Sequence, residues 1–500
     1  GAGAHARSLS AVAPAVACHL RALALVGAGS AVAAGRRCAL LLQVAQVARA
    51  GGALAAAIAH CRDALRLARS LESAGLMARA ALIFGGAFVA TRIDDELVSM
   101  LEETLPLLPA TAVAERAQVS ARLAAALQPA EDPREPMHTA RGAIALARQC
   151  GDQGVLLRTL RSAISALMDF APASERYELN REYIALALRA DDLAEQFRGQ
   201  MRLMIDCVEL GRGDGFASAV RACDHIARSL GLPHYQWRAA SAQVFRAIVQ
   251  GDFDAAEQHL QVAQEFAARC EDRGADLALA LQRLDLLEAT AAGEPQRIEA
   301  GVQAVEEVFP ELSWAEVFVR TYLLNLRRRH GLAVTAAHDV DAALVERVLS
   351  WGDRMSIGDL VELAVHRGDR DLCERVYAAL SPYADQCAHW GLMGMGWCGP
   401  IAYLLASCDQ FLGRTTQALA HLQTARALAE QMRSGPALKK IDALQQALQT
   451  GRESQAAPGG APRCDRLVLQ ADGEMWRCLL YTSDAADEFC HGWVWVGGGG

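Results

Sequence analysis

Residues that break helices recur on a beat of about forty residues along most of this chain: Gly52, Asp94–Asp95, Pro129–Pro133, Phe170–Pro172, Gly211–Gly215, Gly251, Gly293–Pro295, His330–Gly331, Gly368–Asp369 and Gly413. A second set falls midway, at Gly75, Pro109, Gly151, Asp191–Asp192, Gly231, Gly274, Pro310, Gly352, Pro382 and Gly435. Between the markers run stretches rich in alanine and leucine, each about fifteen to twenty residues long. A period of this size leaves a chain few choices. One unit cannot bury its apolar face alone, so units stack into an array whose core grows along one axis. That lets 500 residues escape the division into several globules that such a length ordinarily implies. Apolar residues make up 52% and aromatic ones only 6%, so alanine and leucine carry the burial, and small side chains let helix axes approach to about 8–10 Å.

The unit is legible when the modules are aligned on their central glycine. Gly52, Gly251, Gly368 and Gly413 are followed five residues on by Ala57, Ala256, Cys373 and Ala418. Four further come Cys61, Leu260, Tyr377 and Leu422, and three more give Ala64, Ala263, Leu380 and Ala425. These offsets keep all three positions on one helix face. The glycine stands where a helix end wants a left-handed residue. The preceding helices carry the same period, with Leu41, Val44 and Ala48 before Gly52, and Ala240, Val244 and Ala247 before Gly251. The pattern is the second half of a tetratricopeptide-like hairpin, without the W-x2-L-G opening or the closing proline, and with units nearer forty residues than thirty-four. The expected fold is all-α: a tetratricopeptide-like α-solenoid superhelix of about ten helical hairpins over residues 36–449, in which each repeat touches only its neighbours.

Two segments carry a more specific resemblance. One is Pro233-His234-Tyr235-Gln236-Trp237-Arg238 followed by Gly251-Asp252-Phe253-Asp254-Ala255-Ala256-Glu257. The other is Pro382-Tyr383, then the glycine-rich run from Gly391 to Pro400, then Leu412-Gly413-Arg414. With them, the chain from about Arg36 to Trp476 resembles the C-terminal helical-repeat region of large bacterial signal-transduction ATPase regulators. The resemblance implies an AAA-type ATPase module ahead of the repeats, and a LuxR-type helix-turn-helix or a nucleotide cyclase as effector at one end. It also implies a sensory or scaffolding role for the repeats. A free-standing adaptor presenting a groove to peptides is the alternative, and a helical enzyme domain a weaker third.

Composition excludes several classes. A formal charge of −9 argues against a general surface for nucleic acid or anionic membrane. Fourteen cysteines occur as singles with no C-x-x-C pair, as buried small hydrophobes do in a reducing, cytoplasmic setting. Trp390 to Cys408 carries no charge, but its glycines and Pro400 point to a buried helix entered through a glycine-rich loop and not to a membrane span. Gly394-Met395-Gly396-Trp397-Cys398-Gly399 matches G-x-G-x-x-G without a preceding strand pattern or an acid at the right distance, and no G-x4-G-K-[ST] run occurs. Cys387, His389, Cys398 and Cys408 fit no common zinc spacing. Arg327-Arg328-Arg329-His330 reads as the cationic end of a helix before Gly331. No nucleophile–base constellation is present, so no catalytic, cofactor or metal residue is assigned. The expected ligand is a protein or peptide partner, or a small inducer. In an aromatic-poor chain the candidate contact residues are Tyr235, Trp237, Arg238, Trp390, Trp397 and Tyr403, since grooves reuse aromatics and arginine as anchors.

Both ends read as cuts. Residues 1–35 are a low-complexity Gly/Ala/Ser segment without an initiator methionine, and residues 450–464 have linker composition. Leu467-Val468-Leu469 and Met475-Trp476 flank the turn signal Asp472-Gly473, so residues 465–477 read as the start of a small C-terminal domain. Cys478 to Glu488, CLLYTSDAADE, looks like translated read-through of a transposase sequencing adapter, and residues 478–500 are set aside from fold reasoning on that ground.

Overall fold

The computed structural model describes residues 31–50, 54–85, 94–128, 132–168, 170–270, 273–291, 293–308, 315–335, 338–390, 396–456, 464–472, 475–482 and 491–494, together with Cys18, Arg21 and Ala130. It divides into two compact units, Gly1–Ala443 and Leu444–Gly500.

The first unit is built of helices that alternate as the sequence beat requires. They are α1 (Ala31–Ala50), α2 (Leu54–Ser70), α3 (Ala74–Phe84), α4 (Asp95–Leu107), α5 (Val113–Ala126), α6 (Arg134–Cys150), α7 (Gln153–Leu167), α8 (Ala173–Arg189), α9 (Leu193–Glu209) and α10 (Gly213–Leu230). There follow α11 (Pro233–Gln250), α12 (Phe253–Ala267), α13 (Arg273–Thr290), α14 (Pro295–Val308), α15 (Ala315–Arg329), α16 (Ala342–Trp351), α17 (Arg354–Arg367), α18 (Arg370–Leu380), α19 (Ile401–Leu412) and α20 (Thr415–Gln431). Consecutive pairs make ten hairpins among the described residues, and α21 (Gly435–Ala456) runs on into the second unit. Along much of the array the odd helices also touch the next odd helix, as α1 does α3, α5 does α7, and α17 does α19. The odd helices therefore share one face. This is the expected all-α solenoid.

The punctuation works through a Gly–Asp step. Gly151, Gly251, Gly352 and Gly368 end their helices with positive φ, between 65° and 83°. Only glycine takes that conformation without a Cβ penalty. The next residue, Asp152, Asp252, Asp353 or Asp369, then accepts a hydrogen bond from a main-chain N–H in the first turn of the following helix at 2.8–3.1 Å. Gly413 ends α19 in the same left-handed conformation. Gly52 lies outside the described residues.

Burial follows the aligned pattern. Ala57, Ala256, Cys373 and Ala418 are buried, as are Cys61, Leu260, Leu422, Ala64, Ala263, Leu380 and Ala425, while Tyr377 is half-buried. The repeat step stays near forty residues, as the sequence suggested: α3, α5, α7, α9, α11 and α13 begin at Ala74, Val113, Gln153, Leu193, Pro233 and Arg273. On the even helices Arg62 pairs with Glu96, Arg69 with Glu103, Arg141 with Glu175 and Arg148 with Glu182, each thirty-four residues apart. Between odd helices Ser241 and Gln282 stand forty-one residues apart.

Two expectations change. The glycine-rich run does lead into a buried helix, α19, but its residues Gly396–Pro400 form a strand and not a loop. Cys387–Trp390 (β1) and Gly396–Pro400 (β2) form an antiparallel hairpin, with Cys387 opposite Pro400 and Trp390 opposite Gly396, and α19 starts directly after Pro400. A strand therefore does precede Gly396 and Gly399, but both lie within β2 of an antiparallel pair, not at the strand-to-helix turn that a dinucleotide site needs. Nor do repeats touch only their neighbours. At the start of α10, a Cβ on Gly213 would meet the carbonyl oxygen of Gln431 at the end of α20, one on Gly251 would stand 2.9 Å from Pro436, and Arg433 pairs with Asp214 at 2.9 Å. The fifth and sixth hairpins thus meet the end of the tenth.

In the second unit, Cys464–Asp472 (β3), Met475–Thr482 (β4) and His491–Val494 (β5) pair antiparallel in that order, and Asp472 stands opposite Met475 as the turn signal implied. β4 continues past residue 478, and β5 lies wholly within residues 478–500, the segment set aside above. Among the described residues no helix is long and apolar enough to cross a membrane.

Candidate functional site

The face shared by the odd helices differs between the two halves of the array. In the later half the β1–β2 hairpin lies on it. β1 packs on α9 and α17, and β2 on α11, α13 and α19, with α20 beside it. The hairpin belongs to two apolar clusters at once. Cys387 joins the one formed by Phe197, Met204, Phe216 and Phe245, while its neighbour Ala388 joins the one formed by Leu324, Leu360 and Leu405. Successive residues of a strand point to opposite sides, which makes this possible.

Beneath β1 lies a buried ionic network. Glu209, at the end of α9, accepts hydrogen bonds from Arg354 of α17 at 2.6 Å and lies 2.9 Å from His389 Nε2 of β1; Arg176 Nη2 of α8 stands 2.5 Å from it. Asn180 donates to Asp206 at 2.6 Å. All six residues are buried. The cations around it hold the Glu209 carboxyl well below the usual range despite its burial, whereas burial lifts Asp206 to about 6. Under β2, Tyr322 donates to Asp285 at 2.8 Å, and burial lifts Asp285 to about 7, against the pull of the Tyr322 bond.

In the earlier half the same face is open. A cavity of about 110 Å³ is lined by Arg49 of α1, Arg122 of α5, Arg158 and Arg161 of α7, and Arg198 of α9, with Ser162 and Ser165. Arg49 donates to the Ile83 carbonyl at 3.0 Å and Arg122 to the Gly85 carbonyl at 2.7 Å. Arg202, one turn beyond Arg198, donates to the Arg161 carbonyl at 2.9 Å and to Ser165 Oγ. Burial and the neighbouring guanidinium groups lower Arg122 and Arg202 to about 10 and lower Arg49 as well.

The candidate residues from sequence do not converge on either site. Tyr235 is half-buried, edge-on to Phe197 with ring centroids 5.0 Å apart, and Trp397 packs on the same cluster. Trp237 is fully buried in a different cluster with Ala256 and Leu260. It offers no surface to a partner, which corrects its assignment as a contact residue. Arg238 lies over the Trp237 ring at 4.7 Å and donates to the His234 carbonyl. Tyr403 packs in the cluster around Leu360. The backbone of Trp390 pairs with Gly396; its side chain lies outside the described residues. The arginine cluster lies apart from these aromatic residues. Its signal was present: Arg122, Arg158 or Arg161, and Arg198 or Arg202 recur about one repeat apart on odd helices of an acidic chain.

Among the described residues the cysteines are free, and no group of three histidine, cysteine or carboxylate side chains is placed to hold a metal. Arg327 and Arg329, at the end of α15, pair with Glu306 and Glu288 and so are held within the fold.

No protein-family model matches this chain, and no curated protein does. Among solved structures it is similar to a circular tandem repeat protein with a novel repeat topology, at 14% identity over 91% of this chain and 98% of that one, with a TM-score of 0.18. It is also similar to a Rap protein complexed with competence and sporulation factor, at 13% identity over 84% of this chain and 99% of that one, with a TM-score of 0.29. Likeness at this level supports no conclusion about function, and the solenoid assignment rests on the helices themselves.

Proposed function

We propose that this chain is the regulatory, sensory repeat array of a cytoplasmic bacterial regulator linked to an ATPase, with the array over residues 36–449 and a small domain beginning near residue 465. Its odd-helix face takes up a protein or peptide partner, or a small inducer. The observation that carries this reading is the contrast along one face: the later hairpins hold the β1–β2 hairpin there, while the earlier ones leave an open cavity lined by polar side chains. The lining residues include no histidine, cysteine or carboxylate, which suits binding and offers no general base. Aromatic contacts from Tyr235, Arg238, Trp397 and Tyr403 remain part of the proposal, at the rim of the occupied half. A free-standing adaptor for peptides would use the same face, and the upstream coding sequence separates the two: a Walker motif supports the regulator, a start codon near residue 1 the adaptor.

The test is selection of a random peptide library on the full chain. Peptides bound at the cavity should be lost on Ser162→Trp, which fills the open half, and kept on Glu115→Trp, which lies on α5 outside the cavity lining. Failure to enrich any peptide, or enrichment indifferent to Ser162→Trp, counts against the reading.

A further inference from the structure

The open cavity gathers positive charge without matching it. Five arginines line it, and Arg202 stands directly behind. Close by are two carboxylates. Glu195 lies 3.2 Å from Arg161 and 3.4 Å from Arg198 and accepts from the Tyr183 hydroxyl; Asp94 caps α4 by accepting from the Leu97 N–H. Arg49, Arg122 and Arg202 instead donate to main-chain carbonyls. A carbonyl fixes the direction of a guanidinium group but leaves its charge uncompensated. Arg202 is only 5% exposed, and its Nη1 has no hydrogen-bond partner. A buried, charged donor left unpaired is costly, and a ligand that completes it offsets that cost.

We infer that this cavity binds the phosphoryl group of a small phosphorylated metabolite, which is the inducer of the array. This rests on the reading of the odd-helix face given above. The form of the site selects the ligand. The guanidinium groups come from α1, α5, α7 and α9, so donors approach from several directions. A carboxylate is planar and has two oxygens, enough for one guanidinium fork. A phosphate monoester carries nearly two charges and three acceptor oxygens set tetrahedrally, and so can face several forks at once. A cavity of about 110 Å³ has room for a phosphoryl group. Because the donors sit on four odd helices, α1, α5, α7 and α9, the bound group would tie several hairpins together, which is how an inducer could stiffen this half of the array.

The experiment is calorimetric titration of the full chain with inorganic phosphate, with malonate as a carboxylate control, at low and at physiological salt. Phosphate should bind saturably at one site, more tightly than malonate. Arg198→Gln and Arg158→Gln should each weaken it at least tenfold. Arg158 is exposed, so its replacement carries little folding burden, and unchanged thermal melting of that variant secures the comparison. Absence of saturation, tighter malonate binding, or phosphate binding untouched by both substitutions overturns the assignment. If phosphate fails while peptides still select on the Ser162-bearing face, the phosphoryl site falls and the partner-binding reading stands. If both fail, both fall.

Discussion

Single residues set where each helix of this array stops, and three positions show what happens when glycine is missing. Glu72, Asp191 and Arg433 have φ between 51° and 55°, the left-handed conformation that the glycines at Gly251 or Gly368 adopt freely. Glu72 stands two residues past the end of α2, and the N–H of the next residue, Ser73, donates to the Ala68 carbonyl. A side chain in this conformation costs roughly 1–2 kcal/mol relative to a right-handed one. Glycine removes that cost but frees the unfolded chain, which offsets part of the gain. Glu72→Gly should therefore raise stability by about 0.5–1 kcal/mol in urea unfolding, whereas Glu72→Ala should leave it within about 0.5 kcal/mol of the parent. A loss on Glu72→Gly would mean that the glutamate side chain contributes contacts beyond its backbone role.

At the scale of elements, helices were legible and the hairpin was not. A helix declares itself by an apolar period and by its caps, and both are local: the Gly–Asp steps and the buried Ala256, Leu260 and Ala263 could be read directly from the chain. β1 and β2 span four and five residues, too short for alternation to show, and their glycines resemble a loop. They are strands because tertiary contacts make them so, with α9 and α17 packed on β1 and α11, α13 and α19 on β2. The arginine cavity escaped for a related reason: its members are far apart in sequence and meet only when the odd helices align. Docking of β2 carries a titratable signature. Asp285 lies raised to about 7 by burial, with the Trp397 main-chain N–H and Tyr322 as its donors. Its unfolded value is about 3.9, so the folded state holds the proton more firmly. The contribution of this group is therefore fully present below about pH 4 and is lost as pH rises toward 7, by up to about 1.4 kcal/mol per unit. Asp285→Asn should flatten the stability profile between about pH 4 and 7, read by urea unfolding at successive pH values; an unchanged slope would assign that dependence to other groups.

Within the first unit, the later hairpins are not independent links. An ideal repeat array shares energy only between neighbours, so injury to one repeat leaves distant ones protected. Here Glu209 ties α8, α9, α17 and β1 at one point, and its bond to Arg354 spans 145 residues of sequence. The tight approach of Gly213 to the Gln431 carbonyl adds a second tie at the turns between helices. The network is costly to break because its members have nowhere else to go: removing Glu209 leaves Arg176, Arg354 and His389 buried beside a lone Asp206. Loss of one partner in a buried ionic group typically costs about 3–5 kcal/mol. Glu209→Ala should lower stability by about that amount. Its more telling effect should be on hydrogen exchange: amides of α8, α9, α17 and β1 should lose protection together, while those of α2 and α4, which share a separate apolar cluster and the exposed Arg62–Glu96 and Arg69–Glu103 pairs, should keep theirs. If protection fell only in α8 and α9, the distant bonds would be incidental and the array would behave as a chain of neighbours. If it fell everywhere, the first four hairpins would belong to the same cooperative body, and the open arginine face could not stiffen separately from the half that the β1–β2 hairpin occupies.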